Sequence, residues 1–351
     1  MNFFTPALLH WHTHHNHRAL PWKGISDPYK IWLSEIILQQ TRAEQGRPYY
    51  ERFTETYPTV HDLARAPEDE VFRLWQGLGY YNRCRNLLAT ARVVSGDFRG
   101  KFPETYDGLL QLKGIGPYTA AAIASFAFGE PHAVADGNVY RVLARYFGIY
   151  TSPATPEGKT LFSGKATELL DKTAPAQWNQ AIMDLGATVC TPQNPACGEC
   201  PLQNHCYAYQ NNAIGELPAR ITKGPLKQRF LHYLILEHDG EIWLSRNEDS
   251  GIWRGLYQPF LVESTEALDT RALAAHPDFR KLGLGVAQLG YEGYLHRKLT
   301  HQALDIRFFR VQISGKPALF SGNGVWVRLA EIVKLPLPKP IATFFEKKAY
   351  F

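Results

Sequence analysis

Four cysteines fall within seventeen residues, spaced Cys190-x6-Cys197-x2-Cys200-x5-Cys206, and thiols that close in sequence can surround one metal centre. Pro192, Pro195 and Pro201 punctuate the run. Zinc and an iron–sulfur cluster both accept four thiolates, and residue type leaves the two open. Two carboxylates offer a different chemistry. Glu35 lies in Ile31-Trp32-Leu33-Ser34-Glu35-Ile36-Ile37-Leu38-Gln39-Gln40-Thr41, where helical spacing puts Ile31 and Leu38 on its own face. Desolvation there raises a carboxyl pKa, which suits a general acid; the alternative is a buried Glu held by a hydrogen bond or an Arg. Asp136, in Asp136-Gly137-Asn138, is expected to cap a following helix, and a helix N-terminus lowers a carboxylate's pKa and keeps it an anion. One carboxyl pushed up and one pulled down is the division of labour for protonating a leaving group while stabilising an oxocarbenium-like sugar.

The segment Leu112-Lys113-Gly114-Ile115-Gly116-Pro117-Tyr118 supplies a third signal. Gly114 and Gly116 bracket one aliphatic residue in a tight bend and leave backbone N–H groups at a helix start, where a phosphate can bind. This is the pattern of a helix-hairpin-helix motif, which grips DNA backbone without reading sequence, although a plain connector between two helices has the same form. Cys84, flanked by Arg83 and Arg85, reads as a helix residue outside any disulfide rather than a metal ligand. His10, His12, His14, His15 and His17 spread around the first helix and read as a solvated basic face.

These residues need elements to hold them. A chain of 351 residues suggests about two domains. Amphipathic periodicity predicts helices over Tyr29–Thr41, Glu68–Tyr80, Asn82–Ser95, Tyr118–Phe128, Val139–Phe147 and Trp178–Ala187, an all-helical first domain spanning 1–210. Gly215, Pro218, Gly224 and Pro225, with Arg220, Lys223, Lys227 and Arg229, mark 211–229 as a basic linker. From 230 to 351 the period becomes two: Phe230–Leu236, a turn at Asp239-Gly240 and Ile242–Leu244 read as a hairpin, with further strands at Leu304–Ile313 and Val325–Arg328. Helices at Thr265–Ala275 and Pro340–Lys348 make this second domain α+β.

Composition narrows the setting. The net charge of +5 and a pI near 8.8 permit a polyanionic partner without requiring one. The longest apolar runs are far shorter than the ~20 residues of a membrane span. The start, Met1-Asn2-Phe3-Phe4-Thr5-Pro6, lacks the features of a secretory signal, so a cytoplasmic chain without disulfides is the expectation.

Glu35 in Ser-Glu-Ile-Ile-Leu-Gln-Gln-Thr, Leu78-Gly79-Tyr80-Tyr81, the Gly114-Ile115-Gly116 hairpin, Asp136-Gly137-Asn138 and the four cysteines occur in one order and spacing. Together they resemble the MutY adenine DNA glycosylases of the helix-hairpin-helix superfamily, strongly from Arg18 to Cys206 and more loosely from Phe230 onward. The resemblance implies a multidomain chain: an all-α helix-hairpin-helix glycosylase domain with a [4Fe–4S] cluster loop at 190–206, then an α+β Nudix-like domain that recognises 8-oxoguanine. It implies double-stranded DNA carrying 8-oxoguanine:A or G:A mispairs as partner, a monomer, and a place at the bacterial nucleoid through that DNA.

By the same resemblance Glu35 protonates adenine N7, Asp136 stabilises, or transiently bonds to, the sugar C1′, and Asn138 and Tyr118 order the carboxylates and the water. Gln40 and Tyr80 match residues that enter the duplex, and Trp22 and Leu38 match the adenine pocket wall. Lys23 and Gln180 fall at polar pocket positions. Endonuclease III-type enzymes carry a Schiff-base lysine where this chain has Tyr118, and a phenol forms no imine, so a monofunctional glycosylase is expected. Ser250-Gly251-Ile252-Trp253-Arg254-Gly255-Leu256-Tyr257 matches a loop of the Nudix-like domain, while Leu261–Pro277 lacks the glutamates a Nudix hydrolase needs for magnesium. Where the family often has Phe-Ser-His facing the lesion, this chain has Leu299-Thr300-His301, keeping a hydroxyl and an imidazole but no aromatic ring. Two alternatives stand beside this reading: an endonuclease III-like glycosylase/lyase and a non-catalytic iron–sulfur DNA-binding module.

Overall fold

A computed structural model describes residues 3–221, 224–249, 251–283, 288–316 and 324–348; Met1, Asn2, Lys223 and Ser250 lie outside the described residues. The chain forms two compact units, Met1–Arg65 with Arg85–Lys223, and Ala66–Cys84 with Gly224–Phe351.

The helices run α1 (Phe4–His15), α2 (Pro28–Leu38), α3 (Ala43–Thr56), α4 (Val60–Arg65), α5 (Glu68–Leu74), α6 (Tyr81–Gly96), α7 (Tyr106–Leu110), α8 (Pro117–Phe128), α9 (Gly137–Phe147), α10 (Pro156–Leu169), α11 (Pro175–Thr188) and α12 (Tyr207–Gln210). All but α5 and the first turn of α6 belong to the first unit. Asp27 starts α2 by accepting from the N–H groups of Tyr29 and Lys30, with Pro28 at the first helical position. Ile31, Trp32, Leu33, Ile36 and Ile37 are all buried, so α2 is enclosed on every side rather than amphipathic, and it packs on the equally buried α8. A second core joins Phe4, Leu8 and Trp11 of α1 to α9, α10 and α11.

Two helices stop short of the sequence expectation. In α2 the chain turns after Leu38, with Thr41 N–H donating to the Leu38 carbonyl at 3.0 Å, and exposed Gln40 sits at φ 58°. α5 ends at Leu74; the Trp75 indole then donates to the Gly79 carbonyl at 3.0 Å, and Tyr80 sits at φ 49°. A left-handed backbone at a non-glycine residue carries strain that persists only where the surroundings enforce it.

In the second unit β1 (Lys227–His238), β2 (Glu241–Arg246), β3 (Tyr257–Gln258), β4 (Phe260–Ser264), α13 (Thr270–Ala275), α14 (Pro277–Arg280), β5 (Leu289–Lys298), β6 (Gln302–Gln312), β7 (Gly324–Arg328) and α15 (Lys339–Lys347) follow in order. The mixed sheet runs β3-β2-β1-β6-β5, with β4 on β1 and β7 on β2; β1 and β6 are parallel and the other pairs antiparallel. The expected hairpin is present, its turn formed by Asp239 at φ 49° and Gly240 at φ 73°, the type I′ pattern. One face buries Phe308 against Phe344 of α15, ring centroids 3.9 Å apart. The opposite face buries Phe309 and Val311 under Leu273 and Phe279 of α13 and α14.

Candidate active site and iron–sulfur loop

Helices α2, α8, α9 and α11 of the first unit line a cavity of about 780 Å³ that receives Glu35, Tyr118, Asp136, Asn138, Trp22, Leu38, Gln40 and Gln180. Glu35 is 7 % exposed. Burial pushes its pKa from an ordinary 4.5 to about 7, against a lowering hydrogen bond from Tyr118 and helped by the negative charge of Asp136. Tyr118 is itself held well above its ordinary value, first by burial and then by the two carboxylates, so its hydroxyl stays protonated and able to donate.

Asp136 caps α9 as expected. Its Oδ1 accepts from Asn138 N–H at 2.8 Å and Val139 N–H at 2.9 Å, and its Oδ2 accepts from Asn138 Nδ2 at 2.9 Å. The expected lowering of its pKa does not follow: burial raises it, outweighing the hydrogen bonds from Val139 and Asn138 and the charge of Arg141. A cap lowers a carboxylate's pKa by favouring the anion, whereas desolvation disfavours it, and at this depth desolvation wins.

Asn138 is fixed in turn. Its Oδ1 accepts from Arg141 Nη2 at 2.8 Å, and that guanidinium also donates to the carbonyls of Gly186 and Cys190, each at 2.6 Å. A Cβ at Gly186 would come within 2.7 Å of the Asn138 Cβ, so only glycine lets α11 approach this close. Elsewhere on α11, buried Asp184 accepts from Arg18 Nη1 at 3.0 Å, Lys23 Nζ at 2.7 Å and Asn16 Nδ2 at 2.7 Å. Lys23 therefore ties the segment carrying Trp22 to α11. Arg141, Arg145, Asp184 and Gly186 were missed by the sequence reading; charges at helical spacing look like a solvated face until the packing is known.

Gly114 takes φ 79° in the hairpin, where a Cβ would meet that of Asn86 at 2.7 Å. Gly116 is the exposed, extended residue before Pro117 at the start of α8. His10, His14, His15 and His17 are exposed, while half-buried His12 bonds Asn16 at 2.9 Å. Cys84 is buried.

Cys190, Cys197, Cys200 and Cys206 line one cavity of about 30 Å³ beside Arg145. Arg145 is 4 % exposed; its Nη1 donates to Cys190 Sγ at 3.4 Å and to the Thr191 carbonyl at 2.8 Å, and its Nε to the Leu217 carbonyl at 3.0 Å. Four soft donors around one space fit an iron–sulfur cluster. Burial pushes the Cys200 thiol up to about 12, so its ionisation depends on the charge of the metal it meets.

In the second unit the Tyr80 and Thr300 hydroxyls are hydrogen-bonded to each other. Tyr80 is 49 % exposed, and Thr300 and His301 are exposed in the β5–β6 turn. Leu299 is half-buried against the sheet core.

Three protein-family comparisons match this architecture: residues 33–164 match the HhH-GPD superfamily of base excision DNA repair proteins, 190–206 the iron–sulfur binding domain of endonuclease III, and 232–347 a NUDIX domain. Over 59 % of this chain and 95 % of its own, a solved thermostable thymine-DNA glycosylase superposes with a TM-score of 0.54 and 31 % identity. The fold and site thus define a helix-hairpin-helix DNA glycosylase of base-excision repair, carrying a [4Fe–4S] cluster and a Nudix-like second domain. An adenine DNA glycosylase of Buchnera aphidicola (strain Bp) is 32 % identical over 98 % of this chain and 96 % of its own length. That of Mus musculus is 43 % identical over 62 % of this chain and 44 % of its own. The chain belongs to the adenine DNA glycosylase family of the MutY type.

Proposed function

We propose that this enzyme releases adenine mispaired with 8-oxoguanine, or with guanine, by hydrolysing the N-glycosidic bond and leaving an abasic site in an intact strand. The observation that carries the reading is one cavity holding both a carboxyl with a pKa near 7 and a carboxylate bound by three N–H donors. At about 780 Å³ it has the size of an ordinary ligand pocket, enough for a base extruded from the duplex. Adenine enters between Leu38 and Trp22. Glu35 delivers its proton to adenine N7, and Tyr118, donating to Glu35, keeps that carboxyl aimed. Asp136 stands against C1′ as the N-glycosidic bond breaks and positive charge develops; a water then adds to C1′ and gives its proton to the Glu35 carboxylate, while Asn138, pinned by Arg141, holds the orientation of Asp136. Tyr118 offers no amine for a Schiff base, so strand cleavage is not expected.

Residues 1–210 hold catalysis in this reading and 230–351 hold lesion recognition. The hairpin at Gly114 and Gly116 takes a DNA phosphate on its backbone N–H groups; Gln40 and Tyr80, both strained and exposed, enter the duplex; Thr300 and His301 meet the base opposite adenine. Cys190, Cys197, Cys200 and Cys206 ligate the cluster, whose iron–thiolate bonds hold the loop folded. The enzyme acts as a monomer on cytoplasmic DNA. The test is single-turnover base release from labelled 8-oxoguanine:A, G:A and T:A duplexes, developed with and without hot alkali. Breaks for 8-oxoguanine:A appearing only after alkali support the proposal; breaks without alkali mean lyase chemistry, and no release means a binding module.

A further inference from the structure

The second unit is discontinuous: Ala66–Cys84 leaves the helical unit and packs with Gly224–Phe351. That excursion carries Tyr80, and three of its attachments are side-chain bonds to the sheet unit. Arg246, the last residue of β2, donates from Nη2 to Asp69 Oδ1 at 2.5 Å, with Glu68 Oε1 at 3.9 Å. Gln76 Nε2 donates to the Leu337 carbonyl at 3.0 Å. Tyr80 meets Thr300. Arg246 also donates from Nε to the Gly255 carbonyl at 2.9 Å and lies over the Tyr257 ring, 5.6 Å from its centroid. A planar guanidinium with five donors suits such a junction, binding a carboxylate, a carbonyl and a ring at once. Asp69 and Glu68 stand in the first turn of α5, where their negative charge suits the helix N-terminus, and the Arg246 bond holds that end of the helix to β2.

We propose that Arg246 is a positioning residue for recognition of the base opposite adenine: with Asp69 it clasps the 66–84 excursion to the sheet unit and so fixes Tyr80 against Thr300. Neither Arg246 nor Asp69 needs to touch DNA. Left-handed Tyr80 is costly to hold, and loosening the excursion lets it relax away from Thr300. This inference rests on the reading that Tyr80 and Thr300 face the opposite base.

The test is a double-mutant cycle on the full-length, cluster-bearing enzyme: Arg246→Ala, Asp69→Ala and the pair, scored by the ratio of single-turnover adenine release from 8-oxoguanine:A to that from G:A. Each single change is expected to lower the ratio about fivefold, the scale of a partly exposed ion pair, with the G:A rate nearly unchanged. The pair is expected to lower it no further than either alone, because coupled partners are non-additive. Arg246→Lys, which keeps the charge, is expected to recover part of the ratio. An unchanged ratio in both single variants, or additive losses in the pair, overturns the clasp. Should Arg246→Ala fail to fold, Asp69→Ala carries the test. A wild-type enzyme with no preference between the two duplexes would instead defeat the underlying reading of Tyr80 and Thr300.

Discussion

Glu35 is buried and Thr300 exposed, and in the proposed function that contrast separates two kinds of work. The carboxylate site of the first unit is enclosed: Glu35 is 7 % exposed, Asp136 is held by three donors, and Arg141 closes the network behind Asn138. In the second unit Tyr80, Thr300 and His301 stand in solvent. Proton transfer at neutral pH needs desolvation to bring a carboxyl pKa near 7. Meeting the opposite base, the role proposed for Tyr80, Thr300 and His301, would take exposed hydroxyls and rings held by strained backbone and a few polar ties. Changes in the first site are therefore expected to alter rate by orders of magnitude, and changes in the second to alter preference by small factors.

The largest effect is expected from Glu35→Gln, which removes the transferable proton and should slow single-turnover adenine release by about 10²–10⁴-fold; a loss under tenfold would erase the contrast. Asp136→Asn keeps the shape and deletes the charge, with an expected loss of roughly 10²–10³-fold, measured the same way. Glu35→Gln should at the same time stabilise the fold at pH 8. A carboxyl raised to about 7 from 4.5 leaves the native state binding more protons than the unfolded chain between those values, so stability falls as pH rises through them. The cost is roughly 3 kcal/mol above pH 7. Chemical denaturation of the variant and the wild type at pH 5 and pH 8 should show a gain only at pH 8, and equal gains at both would deny that Glu35 is buried at a cost. The smallest effect belongs to Thr300→Val, which removes the hydroxyl bonded to Tyr80 and should shift the 8-oxoguanine:A to G:A rate ratio by about two- to fivefold, leaving the G:A rate nearly constant.

Local signals made much of this legible. Asp136 capping α9 follows from an Asx residue ahead of a periodic segment, and the pairing of Glu35 with apolar neighbours follows from helical spacing. The hairpin around Asp239-Gly240 follows from turn chemistry. Signals that depend on packing were not legible. The pKa of Asp136 came out opposite in direction to the expectation because burial depth is a tertiary property. β5 escaped because Gly290 and Gly293 interrupt it, and it carries exposed residues along most of its length. Arg246 and Asp69 are 177 residues apart, and nothing in either segment announces the other. Buried Asp184, with Arg18 and Lys23, is likewise a pairing across the chain.

The central claim is that Glu35 enters catalysis protonated at neutral pH beside an ionised Asp136. It is tested most directly by the pH dependence of single-turnover adenine release from 8-oxoguanine:A duplex between pH 4.5 and 9. A bell is expected: the rate falls above about pH 7 as Glu35 ionises, and falls on the acid side at a pH above the ordinary aspartate value as Asp136 protonates. A rate that stays level or climbs from pH 6 to 9 would contradict the assignment of Glu35 as the acid.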